Sequence, residues 1–422
     1  MFKRIVRKDG SVILLAPRQD TQAVTVQVLF KVGSRQESNA VNGVSHFVEH
    51  LMFKGTTQRP NTVDISKELD AVGAEYNAFT GKEATGYYIT AASTNIKMAF
   101  DVLSDMLHNS KFDKSEMDRE RGVIIEEINM YEDNPRMHIE DVFEDLIFRN
   151  TVLGRDIAGP RENIRRLSRQ ALYNYYKKYY YNGNVIIAVA GRFDQSKILK
   201  LLSRYFPVTR RASRVKIKKV NLVRQSRPVV DIRFKKSEQV QLMLGFPNVS
   251  AIDKKYLAYQ VLANILGGNM SSRLFLEIRE RRGLCYSIHC SAQGYEDIGA
   301  LVVAAGLNKE KIYEALNTIK AELNKIKNKG ISSDELKKAK ENIRGRVILR
   351  MEDAHSHVNF LSEQELYGQK IKDVRAKLAE LDKITTSQTN VLAKQVVNWS
   401  QANLAIIGPF VNKNKFIKIL TK

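Results

Sequence analysis

The feature that most constrains this 422-residue chain is that its two halves repeat one another. GNVIIAVAGRFD is echoed by ANLAIIGPFV, with Gly408 − Gly191 = 217, and KSEMDRERG by SSDELKKAK, with Glu335 − Glu116 = 219. VQVLFKVGS and VQLMLGFPN both alternate as strands and lead into helical segments, VSHFVEHLMFKG and AYQVLANILGGN. One such match arises by chance; four in the same order imply duplication. The expected organisation is therefore a first domain over residues 1–206, a basic linker and joining strand over 207–230, and a homologous second domain over 231–422.

Each half mixes alternating strands, such as residues 24–32 and 185–190, with amphipathic helices, such as residues 309–327. Successive strands across residues 76–92 with no helix between them predict antiparallel pairing. The fold class that follows is α+β: two homologous domains, each a mainly antiparallel sheet covered by helices.

Hydrophobic residues make up 43% and charged residues 27%, which excludes a disordered or low-complexity chain. The basic excess of 68 − 46 = +22 suits nucleic acid, an anionic surface or acidic peptides, and charge alone does not choose among them. No nucleic-acid motif accompanies the Arg210–Lys219 cluster, so specific nucleic-acid binding is not expected. No stretch reaches the roughly 18 apolar residues of a membrane span. Cys285 and Cys290 are too few for a disulfide framework, and the N-terminal stretch has no apolar core of signal-peptide length. The expected location is cytoplasmic.

The chemistry is concentrated in HFVEH, residues 46–50. On a helix capped by Asn42 and ended by Gly55, His46, Glu49 and His50 share one face, while Val44, Phe47, Val48, Leu51 and Met52 form an apolar stripe nearly opposite. Two imidazoles one turn apart can bind one Zn²⁺ at roughly 2.0–2.1 Å each, with the intervening carboxylate in reach of a reacting water. The competing reading is a solvated polar face that happens to contain histidines. A catalytic zinc needs a third protein ligand, and KSEMDRERGVIIEEINMYED offers one on a helix that Ser115 would cap. At about 100° per residue, Glu127 falls near the stripe of Met117, Ile124, Ile128 and Tyr131, whereas Glu126 falls close to opposite it. Glu120, on the same face as Glu127, is placed to orient a ligand histidine.

HFVEHLMFKGT followed by ERGVIIEEINMYEDNP resembles the pitrilysin-type inverted-motif zinc peptidases, which include insulin-degrading enzyme and the mitochondrial processing peptidases. The resemblance covers essentially the whole chain. It implies that His46, His50 and Glu127 bind one zinc per chain, with Glu127 lying 127 − 50 = 77 positions past His50, that Glu49 is the general base and that Glu120 is the supporting acid. The second half has Gln260 and Asn264 in place of the histidines and cannot bind zinc in the same way. Its RERRGLCY resembles the family's arginine and tyrosine pair, which implies that Arg279 holds substrate and that Tyr286 donates to the oxyanion. LGGNMSSRLF, with Gly267 and Gly268, resembles the family's glycine-containing loop, although a simple helix C-cap accounts for it equally. GAEYNAFTGKEATGYYIT resembles the edge strand on which substrate pairs, with Asn77 and Ala78 next to the metal, although a hairpin without ligand reads the same.

What the resemblance implies is a zinc-dependent endopeptidase acting on unstructured peptides in a closed chamber. Half-length relatives complete that chamber by pairing chains. Because this chain carries both the metal motif and the arginine and tyrosine, a homodimer is the simpler expectation, with a separate partner subunit as the other. The alternative function is a non-catalytic structural or partner subunit of a peptidase-like complex.

Overall fold

A computed structural model describes residues 2–209, 215, 217 and 219–422, so most of the Arg210–Lys219 cluster lies outside the described residues. The first sheet contains β1 (Lys3–Val6), β2 (Val12–Pro17), β3 (Ala23–Phe30), β4 (Glu75–Thr80), β5 (Thr85–Ala92) and β6 (Val185–Gly191). The second contains β7 (Val229–Phe234), β8 (Gln239–Asn248), β9 (Cys285–Gly294), β10 (Gly299–Asn308) and β11 (Asn403–Gly408). Their orders are β1-β2-β6-β3-β5-β4 and β7-β11-β8-β10-β9. Apart from β1, the orders superimpose strand for strand. The single parallel pair of each sheet, β2–β6 and β7–β11, falls in the same place, and every other pair is antiparallel. The duplicated α+β architecture expected from the repeat is the one observed. Of the 207–230 stretch, Val229 and Val230 open β7.

Both faces of each sheet are buried, which is why VIIAVAG in β6 is apolar throughout instead of alternating. On one face of the first sheet, Val24, Val26, Val28, Ile187 and Val189 share a core with Phe47 and Val48 of the Val44–Met52 helix and Phe100 and Leu103 of the Ile96–Asn109 helix. Each such fully buried side chain stabilises the fold by roughly 1.5–3 kcal/mol. On the other face, Val12, Leu14, Ile186 and Ala188 pack with Val358 and Leu361 of the Ala354–Leu366 helix. That helix is also tied down by polar contacts: Gln27 Nε2 donates to Asn359 Oδ1 at 2.5 Å, and the Arg4 guanidinium grips Glu365 at 2.6 and 3.0 Å.

In the second sheet, Leu242, Leu244, Leu301 and Val303 pack with Leu262 and Ile319 of the Tyr256–Gly267 and Ile312–Lys329 helices. Its opposite face, with Met243, Val302 and Ile407, is covered by Ile139, Val142, Phe143 and Leu146 of the Pro135–Ile147 helix. The compact units therefore differ from a plain cut of the sequence into 1–206 and 231–422. The first comprises Met1–Ile128, Asp156–Lys218 and Ile348–Asp373; the second comprises Asn129–Arg155, Lys219–Val347 and Val374–Lys422. Each unit takes one helical segment from the other half of the chain, because each sheet has a second apolar face that needs cover.

Candidate metal centre

The Val44–Met52 helix starts at Gly43, whose φ of +99° and whose packing, with a Cβ 2.4 Å from the Ala158 carbonyl oxygen, both demand glycine. Asn42 is not the cap expected from the sequence. The Glu37 carboxylate performs that task, accepting from the Gly43 and Ser45 amides and from Asn42 Nδ2, each at 2.8 Å. A carboxylate at a helix N-terminus satisfies orphan amides and complements the helix dipole. Burial nonetheless pushes the Glu37 carboxyl above its usual range, against those donors. The helix ends at Met52 with Phe53 as its C-cap, and Gly55, at φ +100°, turns the following loop.

The Lys114–Asp133 helix is capped by Asp113, not Ser115: Asp113 Oδ1 accepts from the Ser115 and Glu116 amides and from the Ser115 hydroxyl. Met117, Glu120, Ile124 and Ile128 are its buried face, Glu127 is half-buried beside them, and Glu126 is exposed. Tyr131, expected in the stripe, is 38% exposed.

Three donor atoms converge between these helices. His46 Nε2 and His50 Nε2 are 3.3 Å apart, and Glu127 Oε2 lies 3.6 Å from the first and 3.4 Å from the second. Two ligands at roughly 2.0–2.1 Å from a tetrahedral ion are about 3.3–3.4 Å apart, so this triangle has the size such an ion requires. Among the described residues these three form the only group of histidine, cysteine and acidic side chains placed to hold a metal. Behind them, Glu120 Oε2 is 3.0 Å from His50 Nδ1. Nδ1 of His46 is buried without a hydrogen bond, and its ring stands edge-on to that of His50 with centroids 4.6 Å apart.

The electrostatics are those of a cation site. Burial, and then the His50 charge, push the His46 imidazole down to about 4. Burial acts the same way on His50, but hydrogen bonds to Glu120 and Glu127 outweigh it and raise the imidazole to about 9. Glu127 is lowered, chiefly by its bond to His50, and Glu120 is lowered because bonds from His50 and Lys54 overcome its burial. The carboxylates thus hold one positive charge at the imidazoles, a place a divalent cation fits. Burial raises the Glu49 carboxyl, opposed by the bond it accepts from the Thr80 hydroxyl.

Thr80 is the last residue of β4, the edge strand of its sheet. On that strand Asn77 is exposed, its Oδ1 accepting from the Ala78 amide at 2.8 Å, and Ala78 is half-buried against the first core. The first unit thus gathers His46, Glu49, His50, Glu120 and Glu127. The second brings Arg279 and Tyr286 together: the guanidinium carbon lies 5.7 Å from the Tyr286 ring centroid and 4.8 Å from that of Phe275. Tyr286 is 72% exposed, on the edge strand β9. Gly268 is the C-cap of the Tyr256–Gly267 helix, while Gly267 packs so close to β9 that a Cβ would meet the Cys290 amide at 2.4 Å. Glu37, Lys54 and Thr80 were not expected at the site. The one sequence signal for them is that Lys54 lies one helical turn past His50.

Residues 12–161 match the family model described as Insulinase (Peptidase family M16), and residues 166–343 match the one described as Peptidase M16 inactive domain. An uncharacterized zinc protease of Bacillus subtilis is 34% identical over 413 residues, covering 98% of this chain and 99% of the relative. One of Streptomyces coelicolor is 33% identical over 423 residues, covering 97% and 90%. The crystal structure of a protease from Helicobacter pylori superimposes with a TM-score of 0.90 at 20% identity, over 97% of this chain and 99% of that one. With both of its halves matched and relatives of this identity along almost its full length, the chain belongs to peptidase family M16.

Proposed function

We propose that this protein is a zinc-dependent endopeptidase that hydrolyses unstructured peptides, with one zinc per chain held by His46, His50 and Glu127. The observation that carries the reading is the near-equilateral triangle of those three donor atoms, 3.3–3.6 Å on a side. Zinc, when bound, supplies Lewis acidity that polarises a peptide carbonyl and makes water more acidic. The chain's own residues do the rest. Glu49, raised by burial and oriented by the Thr80 hydroxyl, takes the proton of the attacking water and returns it to the leaving nitrogen. Glu120 fixes the His50 ring through Nδ1.

Strand β4 receives the substrate main chain as an added strand beside Asn77 and Ala78, which gives affinity with little demand on sequence. In the second unit, Arg279 holds a substrate carbonyl or carboxylate and the Tyr286 hydroxyl donates to the developing oxyanion. The match of that half to an inactive domain agrees with its lack of a metal motif and leaves hydrolysis to the first half. The assembly we propose is a homodimer enclosing the peptide, which sedimentation tests directly.

The deciding experiment is cleavage of an unstructured peptide by wild type and Glu49→Gln, with and without chelator. Wild-type turnover should vanish with chelator and return with Zn²⁺. Glu49→Gln should keep its zinc and lose about 10²–10⁴-fold in kcat, the range of a general base. Equal turnover by the variant removes Glu49 from its role.

A further inference from the structure

Glu120 is a buried carboxylate with two oxygens facing two partners. Oε2 meets His50 Nδ1 at 3.0 Å, and Oε1 meets the Lys54 ammonium at 2.6 Å. The Glu120 side chain is 4% exposed and that of Lys54 22%, so the pair is largely withdrawn from solvent. With both oxygens held, the carboxylate cannot swing, and the imidazole it bonds is held with it. A buried carboxylate gripped at one oxygen only has no such restraint.

The loop that carries Lys54 is itself fastened from outside the metal centre. Lys54 follows Phe53, the helix C-cap, and its amide donates to the Leu51 carbonyl at 3.1 Å. Two residues on, the Thr56 amide donates to the Arg59 carbonyl at 2.7 Å and the Thr56 hydroxyl to Asp105 at 2.5 Å. The Arg59 guanidinium, 9% exposed, binds Glu68 at 2.7 Å, Asp101 at 3.0 Å and Asp105 at 2.9 Å. The Gly55 carbonyl accepts from the Lys111 amide at 3.3 Å. Lys54 therefore reaches Glu120 from a backbone that the Arg59 cluster anchors to the Ile96–Asn109 helix.

We propose that Lys54 is a positioning residue of the metal centre: it pins one oxygen of Glu120 so that the other holds His50 Nδ1, and so retains zinc at His46, His50 and Glu127. The role rests on the ligand assignment made above and extends the support of His50 one residue outward. Loss of a group that orients a metal ligand weakens metal binding by about 10–100-fold.

The test uses the full chain and Zn²⁺ alone, titrated against a chromophoric chelator, with the dissociation rate read after mixing with excess chelator. Lys54→Met should weaken Zn²⁺ binding by about 10–100-fold, mainly through faster release. Lys54→Arg should recover most of the loss, and Lys54→Gln, which keeps a hydrogen bond but no charge, should fall between. If Lys54 acts through Glu120, Lys54→Met combined with Glu120→Gln should bind Zn²⁺ no more weakly than Glu120→Gln alone. A merely structural contribution would instead add the two losses, and that result overturns the proposal. So does unchanged or tighter binding by Lys54→Met, or by Lys54→Gln should Lys54→Met not fold. A wild-type protein that takes up no stoichiometric Zn²⁺ overturns the ligand assignment itself, and this role with it.

Discussion

The same pair of helices occurs in both units with opposite contents. Between the Val44–Met52 and Lys114–Asp133 helices stand two imidazoles and two carboxylates whose charges close around a cation site. Between the Tyr256–Gly267 and Ser333–Arg350 helices the corresponding contact is Asn264 Nδ2 donating to Asn342 Oδ1 at 2.9 Å. An amide pair satisfies itself; imidazoles and a carboxylate with donor atoms 3.3–3.6 Å apart are placed to hold an ion. The sheet orders are shared because apolar patterning sets them, while a few polar positions separate a candidate metal centre from a structural joint.

The most severe way to break the contrast is to give the first half the second half's residues. His46→Gln with His50→Asn should abolish zinc uptake and peptide cleavage while leaving the circular dichroism of the folded chain in place, since neither side chain belongs to the apolar core. Thr80→Val should lower kcat by about 10-fold with KM little changed, as expected for loss of one bond orienting the base, and Thr80→Ser should restore it.

The metal-stripped protein offers a subtler probe. His50 is raised from 6.5 to about 9, so its contribution to stability is complete below pH 6.5 and is lost as pH rises through 9. His46 is lowered to about 4, so its contribution is complete above pH 6.5 and is lost as pH falls toward 4. Melting temperatures of the chelated protein should therefore decline on both sides of about pH 6.5, and His50→Gln should remove the alkaline decline. The smallest effect belongs to the second half. Asn264→Ala should cost about 1 kcal/mol in urea unfolding, through loss of its hydrogen bond to the half-buried Asn342, without altering zinc content.

Side-chain placement was legible in the sequence where helical spacing alone decides it. HFVEH at helical spacing put His46, Glu49 and His50 on one face, and the wheel of the Lys114–Asp133 helix separated Glu127 from the exposed Glu126. The duplication and the mainly antiparallel pairing were legible from the repeated segments and from the successive strands across residues 76–92. The caps were not. Glu37 reaches the Val44–Met52 helix from a preceding turn, which no rule of the nearest polar residue finds, whereas Asp113 stands directly ahead of its helix and Ser115 lies inside it. Thr80 escaped notice because a strand residue meets a helix residue 31 positions away only through tertiary packing. The exchange of segments between units was equally invisible, since an amphipathic pattern shows that a helix has an apolar face and not which sheet receives it.

That exchange has a consequence for how the protein comes into being. Val12, Leu14, Ile186 and Ala188 stay uncovered until Val358 and Leu361 have been synthesised, so the first sheet cannot be finished until four of the five strands of the second have been translated. A nascent chain halted midway would lack the cover of this apolar face. The first unit is thus completed only by a segment that arrives late in translation.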